Sequence, residues 1–323
     1  MELTPQKRLQ LFSGRSHPEL AADIAANLGT ELADANLVDF ASTELRCRFG
    51  DSIRGADVFI IQSHAAPVNH AIMEQLIMID AAKRASAKRI TAVCPYYGYA
   101  RQDRKAEGRE PITAKLVTDL LTTAGADRIV AVDLHSNQIQ GFFDGPFDHL
   151  TAVPVLIEHL RTRVEGDVTV VAADPGRIKL AERYADHLGA DLSSVYKRRV
   201  KGAVNAVEAL GLMGDVKGKC CVLIDEMIDT GGTICAAADL LKQSGATRIY
   251  CVASHGVLSG PAVDRLKNSV IDTLVITDTL PVPSDKRMDK LDVVSIAGVV
   301  ADAIRAVFED ASVSELFGGE NQI

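Results

Sequence analysis

Cys220-Cys221-Val222-Leu223-Ile224-Asp225-Glu226-Met227-Ile228-Asp229-Thr230-Gly231-Gly232-Thr233 is an apolar run that breaks into acids, paired glycines and threonines. A short continuous apolar run bounded by turn residues is the pattern of a strand buried on both faces, here over Cys221–Ile224. Ile234 to Lys242 then has helical spacing, so the loop joins a strand's carboxyl end to a helix's amino end. Unshared backbone N–H groups and the positive end of the helix dipole favour a phosphate at such a junction, and Gly231-Gly232 lets the backbone approach it closely. Asp225, Glu226 and Asp229 would repel the phosphate itself. They suit sugar hydroxyls, or a metal that accompanies the phosphate. A plain structural turn with solvated acids competes with this reading, and three acids and two threonines in one junction weigh against it.

Outward from this junction, short apolar runs alternate with amphipathic ones, the pattern of an α/β protein with parallel sheets. Strands are expected at Leu9–Gly14, Val58–Ser63, Ile90–Cys94 and Ile129–Val132, then at Val168–Ala172, Cys221–Ile224, Ile249–Ala253 and Leu274–Thr277. Helices are expected near Pro18–Leu28, Pro67–Ala85, Thr113–Ala124, Ile178–Leu188 and Ile296–Phe308. Ala124-Gly125-Ala126-Asp127-Arg128-Ile129 resembles Ser244-Gly245-Ala246-Thr247-Arg248-Ile249, offset by 120 residues (248 − 128), and His135 and His255 keep that offset. Two helix-to-strand turns capped by glycine could match by coincidence, but the similar element order on both sides favours duplication of one α/β domain. With 323 residues, more than one core is expected. The turn-rich stretch Gly145 to Thr151 divides the chain into domains 1–150 and 151–323, and the last helix is left free to pack on either.

A net charge of −8 argues against a general nucleic-acid or membrane binder, so anionic substrates need local basic clusters. Cys47, Cys94, Cys220, Cys221, Cys235 and Cys251 form no C-x-x-C pair, which suits reduced thiols and a cytoplasmic location. No apolar span approaches the roughly 20 residues of a membrane helix, and no signal-peptide core follows Met1. Neither a Walker loop nor a G-x-G-x-x-G fingerprint is present, which disfavours a P-loop kinase and a dinucleotide-dependent dehydrogenase.

Four further constellations carry chemistry. Tyr96-Tyr97-Gly98-Tyr99-Ala100-Arg101-Gln102-Asp103-Arg104-Lys105 follows a strand and holds three of the six tyrosines, and aromatic faces beside Arg and Gln suit a nucleobase and its phosphates. Asp133-Leu134-His135-Ser136 ends another strand, where alternation would put Asp133 and His135 on one face, with a metal, a phosphate or a water as partner of His135. Ala173-Asp174-Pro175-Gly176-Arg177 is a second strand-to-helix loop, a candidate diphosphate or metal-diphosphate cradle. Lys197-Arg198-Arg199-Val200-Lys201 sets four cations in five residues, either a solvated face or a flexible loop that closes over polyphosphate.

Together these segments resemble the ribose-phosphate pyrophosphokinase family over nearly the whole chain. The resemblance rests on Val222–Thr233, Tyr99–Arg104, Val132–Ser136 and Lys197–Arg199, with Gly108–Ile112 and Gln138–Asp144 in support. It implies two phosphoribosyltransferase-like domains and transfer of the diphosphoryl group of Mg-ATP to the 1-hydroxyl of ribose 5-phosphate, giving phosphoribosyl diphosphate and AMP. It further implies that Asp229, Thr230, Gly231, Gly232 and Thr233 cradle the 5-phosphate and that Asp225, with Arg199, serves the ribose phosphate. Phe40, Ser42, Thr43, Glu44, Arg101, Gln102 and Asp103 would form the ATP site, and His135 and Asp174 would bear on Mg²⁺. Lys197 and Arg199 would act in catalysis from a closing loop, and the assembly would be a homo-oligomer, by resemblance a hexamer.

Four departures from the family pattern stand out. Phe40-Ala41-Ser42-Thr43-Glu44 lacks the usual Asn/Asp-Gly before the glutamate, and Asp225-Glu226 replaces an Asp-Asp pair. Ala172-Ala173 stands for Ser-Pro, and Pro175-Gly176-Arg177 for paired glycines, which leaves Arg177 as an added phosphate contact. Ser42-Thr43 and Glu226 favour the alternative, a weakly active or inactive regulatory paralogue.

Overall fold

Apolar runs become buried strands and amphipathic runs become helices in a computed structural model that describes residues 7–199 and 208–319, without the side chains of residues 197–199 and 208–210. Residues up to Thr151 form one unit with Thr279–Pro281 and the stretch from Ile296, and Ala152–Asp278 with Val282–Ser295 form the other.

The first unit contains β1 (Leu9–Ser13), α1 (Pro18–Leu28), β2 (Val38–Asp39), β3 (Leu45–Arg46), β4 (Asp57–Ile61), α2 (Val68–Arg84), β5 (Arg89–Cys94), α3 (Thr113–Ala124), β6 (Arg128–Val132) and β7 (Phe147–Leu150). Its sheet is parallel throughout, in the order β1-β4-β5-β6-β7. Every residue of β4 is buried, which is why that strand reads as an unbroken apolar run. Helix α1 begins at Pro18 and ends at Gly29 with φ 69°, so proline and glycine mark its limits where the sequence puts them. β2 and β3 pair only with each other, as a small antiparallel hairpin.

The second unit contains α4 (Val153–Arg161), β8 (Val168–Ala172), α5 (Ile178–Leu188), β9 (Asp191–Arg199), β10 (Glu208–Met213), β11 (Cys220–Ile228), α6 (Gly232–Gln243), β12 (Arg248–Gly256), α7 (Ala262–Lys267), β13 (Thr273–Thr277) and β14 (Leu291–Val294). Its sheet runs β10-β9-β8-β11-β12-β13-β14, parallel except for β10. Helix α8 (Ala297–Phe308) returns to the first unit and packs on α1, where Arg305 Nη2 donates to Asn27 O at 3.1 Å. The internal match has a structural counterpart: Ala126 N–H donates to Leu121 O and Ala246 N–H to Leu241 O, each at 3.0 Å, in the same helix-to-strand turn.

Three expectations are corrected. β11 continues through Asp225 and Glu226 to Ile228, because β12 stays paired with it as far as Gly256, so these acids lie on the strand rather than past its end. Lys197-Arg198-Arg199 lies on β9, paired with Leu210, Ala209 and Glu208 of β10, and is extended backbone rather than loop. β6 stops at Val132 and Asp133 has φ 37°, so strand alternation does not carry Asp133 and His135 to one face.

Candidate phosphate, sugar and nucleotide sites

In the second unit, β9 lies on one side of β8 and β11 on the other, so the strand order reverses between β8 and β11. Open α/β sheets bind ligands at the carboxyl ends of strands at such a switch point. Two loops flank it, Asp174–Arg177 after β8 and Asp229–Gly231 after β11.

The loop after β11 is held from behind. Leu258 N–H donates to Ile228 O at 3.0 Å, Ser259 N–H to Asp229 O at 2.9 Å, and Arg265 Nη1 to Thr230 O at 3.0 Å. Gly231 caps α6 with φ 73°, a left-handed conformation that favours glycine. The helix's first hydrogen bond runs from Cys235 N–H to Gly231 O, and N–H groups of a first turn have no acceptor within their own helix. Thr230 and Thr233 are exposed beside them. With carbonyls tied back, donors forward and the dipole's positive end behind, the loop is shaped for a phosphate.

Behind the cradle lie the two acids of β11. Arg177, from the loop after β8, meets Glu226 through Nη2 to Oε1 and Nε to Oε2, both at 2.5 Å, and its Nε lies 3.5 Å from Asp225 Oδ1. Arg177 therefore engages acids instead of standing ready for a phosphate, which corrects the role expected for it. Burial pushes the Asp225 carboxyl up, its hydrogen bond and charge repulsion with Glu226 push it further, and Arg177 opposes both. Asp174 is half-buried and its Oδ1 accepts Gly176 N–H at 2.7 Å, which closes the turn from Pro175 to Arg177. The side chains of Lys197 and Arg199 lie outside the described residues.

The first unit carries the expected nucleotide segments. Tyr97 is 1% exposed, and its hydroxyl sits 2.7 Å from Thr118 Oγ1 and 3.1 Å from Ala114 O, so it belongs to the core and offers no face to a base. This removes one of the three expected aromatic platforms. Tyr99, with φ 63°, donates to Asn69 at the start of α2. Arg101 and Gln102 are exposed and Asp103 is half-buried; Gln102 N–H donates to Tyr99 O at 2.9 Å, and its Oε1 accepts Thr113 Oγ at 2.5 Å. Leu134 N–H donates to His149 Nε2 at 2.9 Å, fixing the turn that carries half-buried His135.

The β2–β3 hairpin holds Phe40, Ser42, Thr43 and Glu44 in its turn. Phe40 N–H donates to Glu44 O and Thr43 N–H to Phe40 O, both at 2.8 Å, and Ser42 Oγ donates to Glu44 Oε2 at 2.8 Å. Thr43 adopts φ 68°, a conformation suited to glycine, at the place where the family pattern has one. Phe40 is 51% exposed. A cavity of about 330 Å³ opens between the turn and α2, lined by Thr43, Glu44, Leu45, His70, Met73, Glu74 and Ile77.

The N-terminal-domain model of ribose phosphate pyrophosphokinase matches residues 9–125, and the phosphoribosyl synthetase-associated domain matches residues 197–318. The ribose-phosphate pyrophosphokinase of Streptomyces avermitilis is 56% identical over 98% of this chain and 98% of its own, and that of Bifidobacterium longum 56% identical over 98% and 94%. The crystal structure of phosphoribosylpyrophosphate synthetase from Mycobacterium smegmatis is 51% identical, covers 94% of this chain and all of its own, and superposes with a TM-score of 0.90.

Proposed function

The chain belongs to the ribose-phosphate pyrophosphokinase family, and from that premise we propose which of its residues bind the two substrates and how they serve the reaction. It is an enzyme of nucleotide biosynthesis that transfers a diphosphoryl group to the 1-hydroxyl of ribose 5-phosphate. The diphosphoryl donor is ATP. The sugar oxygen bonds to the β-phosphorus, the bond from that phosphorus to the α,β-bridging oxygen breaks, and AMP departs while the hydroxyl proton is released.

The 5-phosphate sits at Asp229–Thr233, and the observation that carries this is the left-handed Gly231 cap, which turns the first-turn N–H groups of α6 outward at the sheet's switch point. Asp225 accepts the ribose hydroxyls, since Glu226 is already held by Arg177 through a hydrogen bond and an ion pair. ATP is bound by Phe40, Ser42, Thr43, Glu44, Arg101, Gln102 and Asp103. Positioning and charge neutralisation supply most of the catalysis in such transfers, and Lys197 and Arg199 are assigned to the second task.

Among the described residues no three His, Cys, Asp or Glu side chains gather as a metal cage. That fits Mg²⁺, which is commonly held by one or two carboxylates together with substrate phosphates. Asp174 and His135 are each assigned to Mg²⁺ ions, directly or through water; such ions would offset the negative charge of the polyphosphate. Asp174 keeps Oδ2 outside its turn hydrogen bond.

The two domains, divided near residue 150 with the last helix packed on the first, are assigned to duplicated phosphoribosyltransferase-like folds, and the assembly to a homo-oligomer, a hexamer by family resemblance. Six free cysteines suit a cytoplasmic setting, and no helix among the described residues is long and apolar enough to cross a membrane. Purified protein with Mg-ATP and ribose 5-phosphate is expected to yield AMP and phosphoribosyl diphosphate in equal amounts. ADP with a sugar bisphosphate would refute diphosphoryl transfer, and absence of product would restore the regulatory-paralogue alternative.

A further inference from the structure

At the carboxyl end of β1 the chain turns through Gly14 and Arg15, a residue outside every motif above. Arg15 faces two carboxylates at once. Its backbone N–H and its Nε donate to Oε1 and Oε2 of Glu74, both at 2.6 Å, while Nη1 and Nη2 fork onto Asp39 Oδ2 and Oδ1 at 3.0 and 2.8 Å. Glu74, on α2, is 1% exposed and accepts a third hydrogen bond from buried Gln62 Nε2 at 2.9 Å. Gln62 is itself fixed, because its Oε1 accepts Ser16 Oγ at 2.7 Å. The guanidinium cannot swing away without leaving a buried carboxylate short of its donors.

On the outer side, Asp39 is the last residue of β2, next to Phe40. The hairpin pairs only Val38 with Arg46 and Asp39 with Leu45, and both residues of β2 are exposed. Hairpins this short have no stability of their own in water. Contacts of β3 with α2 and His70 Nε2 at 3.8 Å from Asp39 Oδ1 help to hold the turn, and its strongest polar tether is the Arg15 fork; the same guanidinium keeps the Asp39 carboxyl below its ordinary range. The chain thus runs from buried Glu74 through Arg15 to the backbone that carries the exposed Phe40 ring.

We propose that Arg15 is a positioning residue, clamped to buried Glu74 and gripping Asp39, that preorganises the hairpin presenting Phe40 and Glu44 to the nucleotide. This rests on the assignment of those two residues to ATP. Fixing the turn in advance reduces the ordering cost of binding, so its effect falls on nucleotide affinity and leaves the sugar site unaltered.

The test uses full-length Arg15→Ala and Asp39→Asn, the second keeping the Arg15–Glu74 clamp and therefore the fold. Amide hydrogen exchange over residues 38–46 without ligand and KM for each substrate are measured together. Exchange is expected to speed up, and KM for ATP to rise, by roughly fivefold or more in Arg15→Ala and less in Asp39→Asn, with KM for ribose 5-phosphate unchanged. Arg15→Lys should fail to rescue, since an ammonium cannot fork across two carboxylates. Unchanged exchange in both variants overturns the tether. Faster exchange with unchanged KM for ATP overturns the proposal; Phe40→Ala then separates the two failures, because an unaltered KM in that variant dismisses the ATP assignment and a raised one dismisses only the positioning role.

Discussion

Replacing Arg177 by alanine removes the cation that faces both acids of β11. The guanidinium meets Glu226 at 2.5 Å twice, with side chains 19% and 7% exposed. At an effective dielectric of about 20 and charge centres roughly 4 Å apart, the attraction is about 4 kcal/mol. Breaking one side of a buried pair costs about 3–5 kcal/mol, because the other charge stays buried. The lower end, about 3 kcal/mol, applies here because Arg177 keeps some access to water. For a domain of this size that is a fall in Tm of about 6–12 °C. The loss also carries a pH signature. Without the cation, the Asp225 carboxyl, already pushed up by burial and by Glu226, holds its proton more readily still in the folded state than in the unfolded one, so stability rises as pH falls and the deficit shrinks toward pH 5. Urea unfolding at pH 8 and pH 5, with Arg177→Met/Glu226→Leu as the companion that removes both charges and restores most of the stability, measures this. A loss under about 1 kcal/mol, or one independent of pH, would falsify the view that Arg177 neutralises this acid pair.

Three further outcomes are expected. Gly231→Ala forces a side chain into φ 73°, a cost of about 1–2 kcal/mol, and KM for ribose 5-phosphate should rise about tenfold while ATP binding is spared; an unaltered KM would remove the cradle assignment. His64 is buried, paired with Gln75 Oε1 at 2.8 Å, and burial holds it down to about 4. The unfolded chain therefore takes up its proton first, and stability of about 3 kcal/mol drains away as pH falls from 6.5 to 4. His64→Gln should flatten this part of the profile, and an unchanged pH dependence of the urea midpoint in that variant would show that His64 is not its source. Lys197→Ala should lower kcat by orders of magnitude with ribose 5-phosphate affinity, measured by calorimetry, nearly unchanged; near-normal turnover would dismiss a catalytic role.

Local punctuation made the helices readable: α1, α3 and α5 have the bounds their sequence pattern implies, because Pro18, Gly29, Gly125 and Gly189 mark their ends. Strand ends were not readable where charge interrupts apolarity. β11 runs on through Asp225 and Glu226, and β9 carries Lys197 to Arg199, since pairing with a neighbouring strand decides where each ends. Two-residue strands such as β2 and β3 are too short to show an alternation at all. Tyr97 looked like a ligand platform, yet the hydroxyl of Thr118 waits beneath it, 21 positions away. The ties that organise the candidate sites are equally remote, with Arg15 59 residues from Glu74 and Arg177 49 from Glu226. Such pairs leave no trace in a local pattern.

The substitution of Glu for Asp at 226 becomes intelligible from the register of the sheet. β8 pairs with β11 only as far as Ala172 opposite Ile224, whereas β12 continues beside it to Gly256. Beyond Ile224 the β8 side of β11 is therefore open, and the loop after β8 fills it. Residues 225 and 226 point to opposite faces of the strand, and a cation must lie beside the strand to reach both. Arg177 does so, at 2.5 Å from Glu226 and 3.5 Å from Asp225. The extra methylene carries the 226 carboxylate out to the guanidinium, where Oε1 accepts Nη2. Asp225 has only the flank of the guanidinium, and its Oδ1 also accepts the N–H of Glu226 at 2.8 Å. Of the two acids, Asp225 is the less buried, and it is the one we propose for the sugar hydroxyls. The longer acid ties the loop after β8 to β11, while the shorter one stays with the strand's own backbone.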